Sequence, residues 1–246
     1  MIDLGRALKY PFSGPNAITK TLIGGVMALL LPCFLPLFIL MGYQLRIIRA
    51  VLEGHDDELP EWGGIGDDLM AGAVVFAGTL LYYLPSFLLV GMGARLAVAA
   101  VSDLDLTGLI FSGGSFEFDR AKLSMILVCF LLALIWLILS APLVMSATAR
   151  YAETGEFSSF THILDRADEA WEQRGAAATL MLHLFLLSLI MQTVSAVASS
   201  MICLISGYIQ FINFAAVCHL NGQWGAVLKQ NRRKPSVIRP IKPLKR

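Results

Sequence analysis

The fold class predicted by this sequence is all-α, a polytopic transmembrane helical bundle, and three observations predict it. The chain is 57% hydrophobic and only 15% charged, where a soluble domain carries roughly 25% charged residues. Apolar runs cover Ala17–Leu31, Cys33–Gln44, Leu69–Met92, Leu123–Met145, Ala176–Ala196 and Ser199–Leu220, and the last four reach the ~20 residues that a spanning helix needs. None of them alternates polar with apolar residues over the ~9–11 positions of a barrel strand, which excludes a transmembrane barrel.

Five or six membrane segments follow, depending on the first. Pro32 and Pro36 interrupt the stretch 17–44 at its midpoint, and proline removes a backbone donor and ends or kinks a helix. The stretch is therefore either one kinked span or a broken, re-entrant hairpin. Ahead of it, Met1–Thr21 has no long apolar core and is broken by Pro11 and Pro15, so no cleaved signal peptide is expected. Cys33, Cys129, Cys203 and Cys218 lie in or beside apolar runs without C-x-x-C spacing. They are expected to be buried, free and packing, with neither disulfide nor metal.

Orientation is read from Lys and Arg in the short loops. With a single first span, the loops at 45–68 and 146–175 share a side with the tail and hold thirteen cations against six. With a hairpin the N-terminus joins them, and the split becomes sixteen to three. The richer side, including the C-terminus, is expected to be cytoplasmic. Both of these loops open alike, with "RAVLEG" at Arg49–Gly54 and "RYAETG" at Arg150–Gly155. At the same offset Asp67–Asp68 matches Asp168–Glu169 and Tyr82 matches His183. This suggests a parallel internal repeat over about 33–100 and 123–200, inside one transmembrane domain at 1–228.

The loops supply candidate contacts for anionic headgroups or partner proteins. Phe157, Phe160, Leu164, Ala167 and Trp171 recur at intervals of three and four, the pattern of an interfacial amphipathic helix. Trp62, Ile65, Leu69, Ala73 and Phe76 follow the same spacing. Trp62, Trp171 and Trp224 all fall at the cytoplasmic boundary, which indole rings favour, whereas Trp136 in mid-span reads as a packing residue. Arg49 and Arg150 end apolar helices that Gly54 and Gly155 would cap in a left-handed turn, and they double as headgroup contacts. The acidic strip His55–Glu58 offers four consecutive side chains that converge poorly on one ion, so it reads as a wetted loop.

The segment 229–246 carries eight cations, no carboxylate and prolines at 235, 240 and 243. It is expected to be an extended basic tail whose Arg232, Arg233 and Lys234 meet anionic lipid. Without interleaved aromatic residues it is not a nucleic-acid site. Inside the spans there is no deep Asp, Glu, Lys or Arg, which disfavours an ion-coupled carrier. Tyr82, His183 and Gln192 are the candidate intramembrane polar contacts, His183 and Gln192 through interhelical hydrogen bonds.

"KYPF" at Lys9–Phe12, "GYQLRIIRAVLEG" at Gly42–Gly54, "LPEW" at Leu59–Trp62, "ARYAETGEF" at Ala149–Phe157 and "HLNGQ" at His219–Gln223 together resemble the prokaryotic membrane proteins of domain of unknown function 4013. The resemblance implies a multi-helix integral membrane protein and carries over no catalytic residue. No nucleophile pairing, phosphate-cradling loop or metal-ligand spacing stands out. The expectation is a non-enzymatic plasma-membrane scaffold or accessory subunit that needs no cofactor and binds lipid and other membrane proteins. The alternative is a lipid-handling or small-solute transport protein with a groove near Tyr82 and His183.

Overall fold

The structure, a computed structural model, describes residues 2–102, 120–199 and 203–233. Among these there is no strand, in agreement with an all-α fold. The helices are α1 (Leu4–Lys9), α2 (Ala17–Leu29), α3 (Leu35–Glu53), α4 (Ile65–Ser102), α5 (Arg120–Thr154), α6 (Ser158–Thr161), α7 (Ile163–Glu172), α8 (Arg174–Ser199) and α9 (Cys203–Arg233). Four of them, α3, α4, α5 and α8, are long and apolar enough to cross a membrane. The chain divides into two compact units: Met1–Phe76 with Met145–Arg246, and Ala77–Val144.

In the first unit α9 is the central helix and packs against α2, α3 and α8. The break between α2 and α3 falls where the prolines put it. Pro32 lies in a 3-10 turn at Leu31–Cys33, Phe34 has φ 60°, and Pro36 sits in the first turn of α3. At ~1.5 Å per residue, α2's 13 residues span only about 20 Å. Lys20, near the start of α2, donates to Leu59 O at 2.7 Å, just past the end of α3. The two helices are thus antiparallel and in contact, the hairpin arrangement. Close approach of α3 and α4 depends on glycine: a Cβ on Gly42 would strike the backbone of Asp68, and one on Gly72 the backbone of Phe38.

In the second unit the outer parts of α4 and α5 pair through few polar contacts. Ser86 donates to Ala133 O at 3.0 Å, and the Trp136 indole donates to Tyr82 O at 2.8 Å. Gly93 lies against Cys129 and Phe130. Most large apolar side chains here, such as Leu84, Phe87, Leu131 and Leu134, are exposed. A soluble surface seldom shows apolar patches of that extent, while lipid accepts them.

Several expectations are corrected. The segment from Lys229 is not extended from its start, because α9 continues to Arg233. The first helix-breaking residue beyond is Pro235, and Arg232 and Arg233 in the last turn complement the helix dipole. The remainder of the tail, Lys234 included, lies outside the described residues. The amphipathic stretch Phe157–Trp171 is not one helix, since His162 (ψ 63°) separates α6 from α7. Trp224 does not face outward: it is 0% exposed, its indole donating to Ser146 Oγ at 3.0 Å. Cys33 is exposed rather than buried, whereas Cys129 and Cys218 are buried and free, as expected. Cys203's side chain lies outside the description.

Candidate functional site

A cavity of about 750 Å³ with a mixed lining opens in the first unit, where α1 and the loop after α3 meet α8 and α9. Asp3, Arg6, Asp56, His183 and Gln223 line it among aliphatic neighbours. Asp3 caps α1, its Oδ1 accepting from Arg6 N at 3.1 Å. That cap turns the Arg6 side chain toward Asp56, with Arg6 Nη2 2.7 Å from Asp56 Oδ1. Gln223 fastens the same turn to α9: Asp3 N donates to its Oε1 at 2.6 Å, and its Nε2 donates to Asp3 O at 3.0 Å.

His219, one turn before Gln223, is fully buried. The Gln223 amide N–H meets His219 Nδ1 at 3.0 Å, so Nδ1 accepts and the ring proton sits on Nε2. That nitrogen faces Asp56 Oδ2 at 3.6 Å. Burial pushes the imidazole below its ordinary value, and the Asp56 carboxylate opposes the shift. Tyr10 packs on the same ring in a tilted arrangement at 4.6 Å between centroids, and burial raises its phenol well above the usual range. The arrangement is a neutral histidine held beside a carboxylate–arginine pair. No group of three or more metal-ligating side chains occurs among the described residues.

The acidic strip is therefore only partly a wet rim. His55, Asp57 and Glu58 are exposed, but Asp56 turns inward and Leu59 is buried. Trp62 returns the loop to the body rather than to a membrane boundary. Its ring stacks on Tyr43 at 4.0 Å, and its indole donates to Lys20 O at 2.8 Å. Arg46 completes this latch through Glu61 O at 2.8 Å and the carboxylate of Asp68.

The other candidate residues go to different places. Gly54 and Gly155 both adopt positive φ, 83° and 72°, so the two loops share the expected glycine turn. Their arginines do not share a role: Arg49 Nε donates to Ala152 O at 3.0 Å near the end of α5, while Arg150 pairs with Glu153 at 3.0 Å. Arg232 bridges Glu153 at 2.7 Å and Glu169 at 3.0 Å, and Arg166 holds the other oxygen of Glu169 at 2.8 Å. These pairs gather α5, α7 and the end of α9 into one cluster. Arg233 and Trp171 are exposed. Gln192 meets Gln210 across helices at 3.5 Å. His183 makes no such interhelical bond; its Nδ1 is buried without a hydrogen-bond partner while the residue lines the cavity. Tyr82 is buried in the second unit.

Residues 26–204 match the family described as "Protein of unknown function (DUF4013)". The chain belongs to the DUF4013 family. The match runs from within α2 to the start of α9 in this DUF4013 protein, whereas Asp3, Arg6, His219 and Gln223 lie outside it. No curated protein and no solved structure matches the chain. Sequence reasoning missed Asp56, His219, Gln223 and Lys20 as a set. "KYPF" and "HLNGQ" marked the neighbourhood, but spacing along the chain cannot show that its two ends meet.

Proposed function

We propose that this DUF4013 chain is a non-enzymatic multi-pass protein of the prokaryotic cell membrane that works by binding, as a scaffold or accessory subunit of a membrane complex. The observation that supports it is the orientation of α7. This helix follows α5 and precedes α8, both long and apolar enough to cross a membrane. Two of its charged residues, Arg166 and Glu169, are tied inward, Glu169 by Arg232, while Asp165, Asp168 and Glu172 are exposed. Its apolar side faces out, with Leu164 80% and Trp171 71% exposed. A helix packed in that sense leaves its sticky face free at the membrane boundary for headgroups or a partner. Basic residues at and beyond the end of α9 give the same side its affinity for anionic lipid, and that side is cytoplasmic.

The test is purification of the full chain in mild detergent, with companions quantified. A partner at fixed stoichiometry, lost on Leu164→Glu with Trp171→Ser, is the expected result. Absence of any stoichiometric companion overturns the subunit role. The transport alternative has one observation in its favour, His183 lining the 750 Å³ cavity, and uptake of solute into proteoliposomes would decide for it.

A further inference from the structure

α1 is short, and its polar anchors converge on one side chain of α9. Its six residues are too few for a helix that persists alone in water. Ile2 and Ala7 are buried, whereas the Arg6 side chain, paired with Asp56, is 57% exposed. Gln223 supplies both bonds to the backbone of Asp3, at its N and at its O. The same Nε2 of Gln223 also reaches His219 Nδ1. Because Ile2 to Arg6 form one wall of the 750 Å³ cavity, α1 is placed as its lid.

These bonds are mutually consistent only while His219 is neutral. Gln223 then donates from Nε2 to His219 Nδ1 and to Asp3 O, and accepts at Oε1 from Asp3 N. A proton gained by the ring goes to Nδ1, since Nε2 already carries one. The new N–H meets the N–H of Gln223, donor against donor, and a buried donor without a partner costs about 1–3 kcal/mol. Turning the amide over offers Oε1 to Nδ1, but it sets Nε2 against Asp3 N and Oε1 against Asp3 O. Either way the charged imidazole is incompatible with the two bonds that hold Asp3. With α1 away, the turned amide serves His219 without conflict.

We propose that α1 is a lid on this cavity, latched by Gln223 while His219 is neutral and released when His219 takes up a proton. The charges that act on the ring are Asp56 of the loop and Arg6 and Asp3 of α1, and Tyr10 packs on its face. Release carries Arg6 away from the new positive charge, which favours the open state in acid. Lys20 of α2 and Arg46 and Arg49 of α3 are held elsewhere, by Glu61, Asp68 and Ala152 O, and α8 brings His183 to the same cavity. The docked state binds the proton less well than the released one. Docking is therefore complete above about pH 6.5 and is lost as pH falls below it, by no more than about tenfold per unit for one proton. The inference does not rest on the scaffold role.

The test is hydrogen exchange of the full chain in detergent at pH 7.5 and 5.5, with each rate corrected for the intrinsic pH dependence of amide exchange. Protection over 2–10 is expected to fall severalfold in acid while 205–218 stays protected, and about tenfold is the ceiling for one proton with an ordinary released value. His219→Gln keeps an acceptor for Gln223 and loses the proton, so protection over 2–10 should no longer change with pH. His183→Gln should leave the response of the unaltered chain. Gln223→Leu removes the latch, and 2–10 should exchange fast at both pH values. Unchanged protection over 2–10 in the unaltered chain, an equal loss over 205–218, or an acid response that survives His219→Gln or vanishes in His183→Gln overturns the proposal. Where His219→Gln does not fold, an acid response that persists in Gln223→Leu overturns it instead.

Discussion

Asp56 Oδ2 lies 3.6 Å from His219 Nε2, and this contact ties the acidic strip after α3 to the most buried face of α9. Burial first and Arg6 after it hold His219 below the ordinary imidazole value of 6.5, with Asp56 pulling the other way. A base whose folded value is depressed contributes stability that is complete above the unfolded value and is lost as pH falls through the window below it. The detergent-solubilised chain should therefore hold its melting temperature above about pH 6.5 and lose it on further acidification. Asp56→Asn should steepen that loss, since it removes the charge that favours protonation, and His219→Gln should flatten it. A melting temperature that rises on acidification from pH 7 to 5.5 would contradict the neutral histidine.

Arg232 joins the end of α9 to Glu153 of α5 and Glu169 of α7. All three side chains are partly exposed, so each pair is screened and contributes on the order of 0.2–1 kcal/mol. Arg232→Ala should cost about 1 kcal/mol in total and, more visibly, loosen α7. Hydrogen exchange over 163–172 is expected to speed up while 205–220 stays protected. Equal acceleration in both segments would mean that the cluster does not specifically hold α7.

Gly42 and Gly72 let the backbones of α3 and α4 touch, and neither site has room for a methyl group. Overpacking a tight contact costs about 1–3 kcal/mol, and rigid backbone on the far side puts these two sites at the upper end. Gly42→Ala and Gly72→Ala should each lower the melting temperature or abolish recovery of folded chain. Gly91, with nothing within 4 Å of the added carbon, is the control. Gly91→Ala should be neutral or stabilising by up to about 1 kcal/mol, as helix propensity favours alanine.

Much of the fold was legible because hydropathy averages over a whole helix. The apolar runs located α4, α5 and α8, the prolines at 32 and 36 located the break before α3, and Gly54 and Gly155 marked two helix ends. What hydropathy does not report is which way an individual side chain turns. Trp62 and Trp224 suit a membrane boundary as well as a core, and both were drawn inward by partners distant in the chain, Tyr43 and Lys20 for one and Ser146 for the other. Lys20 looked like an orientation signal, yet it is buried against Leu59 O and Glu61. Arg150 and Arg232 looked free for headgroups, yet both are engaged by Glu153. The candidate cavity escaped notice for the same reason, since its residues come from both ends of the chain.

The orientation of α7 yields the last prediction, which sets two environments against each other on one short helix. Leu164 and Trp171 face outward, while Arg166 and Ala170 are buried against the body. Gln173 alone separates α7 from α8, so the helix cannot stray far from the level at which α8 enters lipid. An outward apolar face at that level belongs in the headgroup boundary, where an indole ring is stabilised. A nitroxide at Leu164→Cys, in a chain whose native cysteines are replaced by serine, should relax faster with oxygen than with a water-soluble nickel complex. A nitroxide at Asp165→Cys, about 100° around the helix from Leu164, should show the reverse. Reporters inserted near Ser158 and fused after Arg246 should both read cytoplasmic, because Arg232 ties the end of α9 to the segment that follows α5. Nickel access at residue 164 equal to that at residue 165 would place α7 in water, and opposite reporter readings would put the two ends of that cluster on different sides of the membrane.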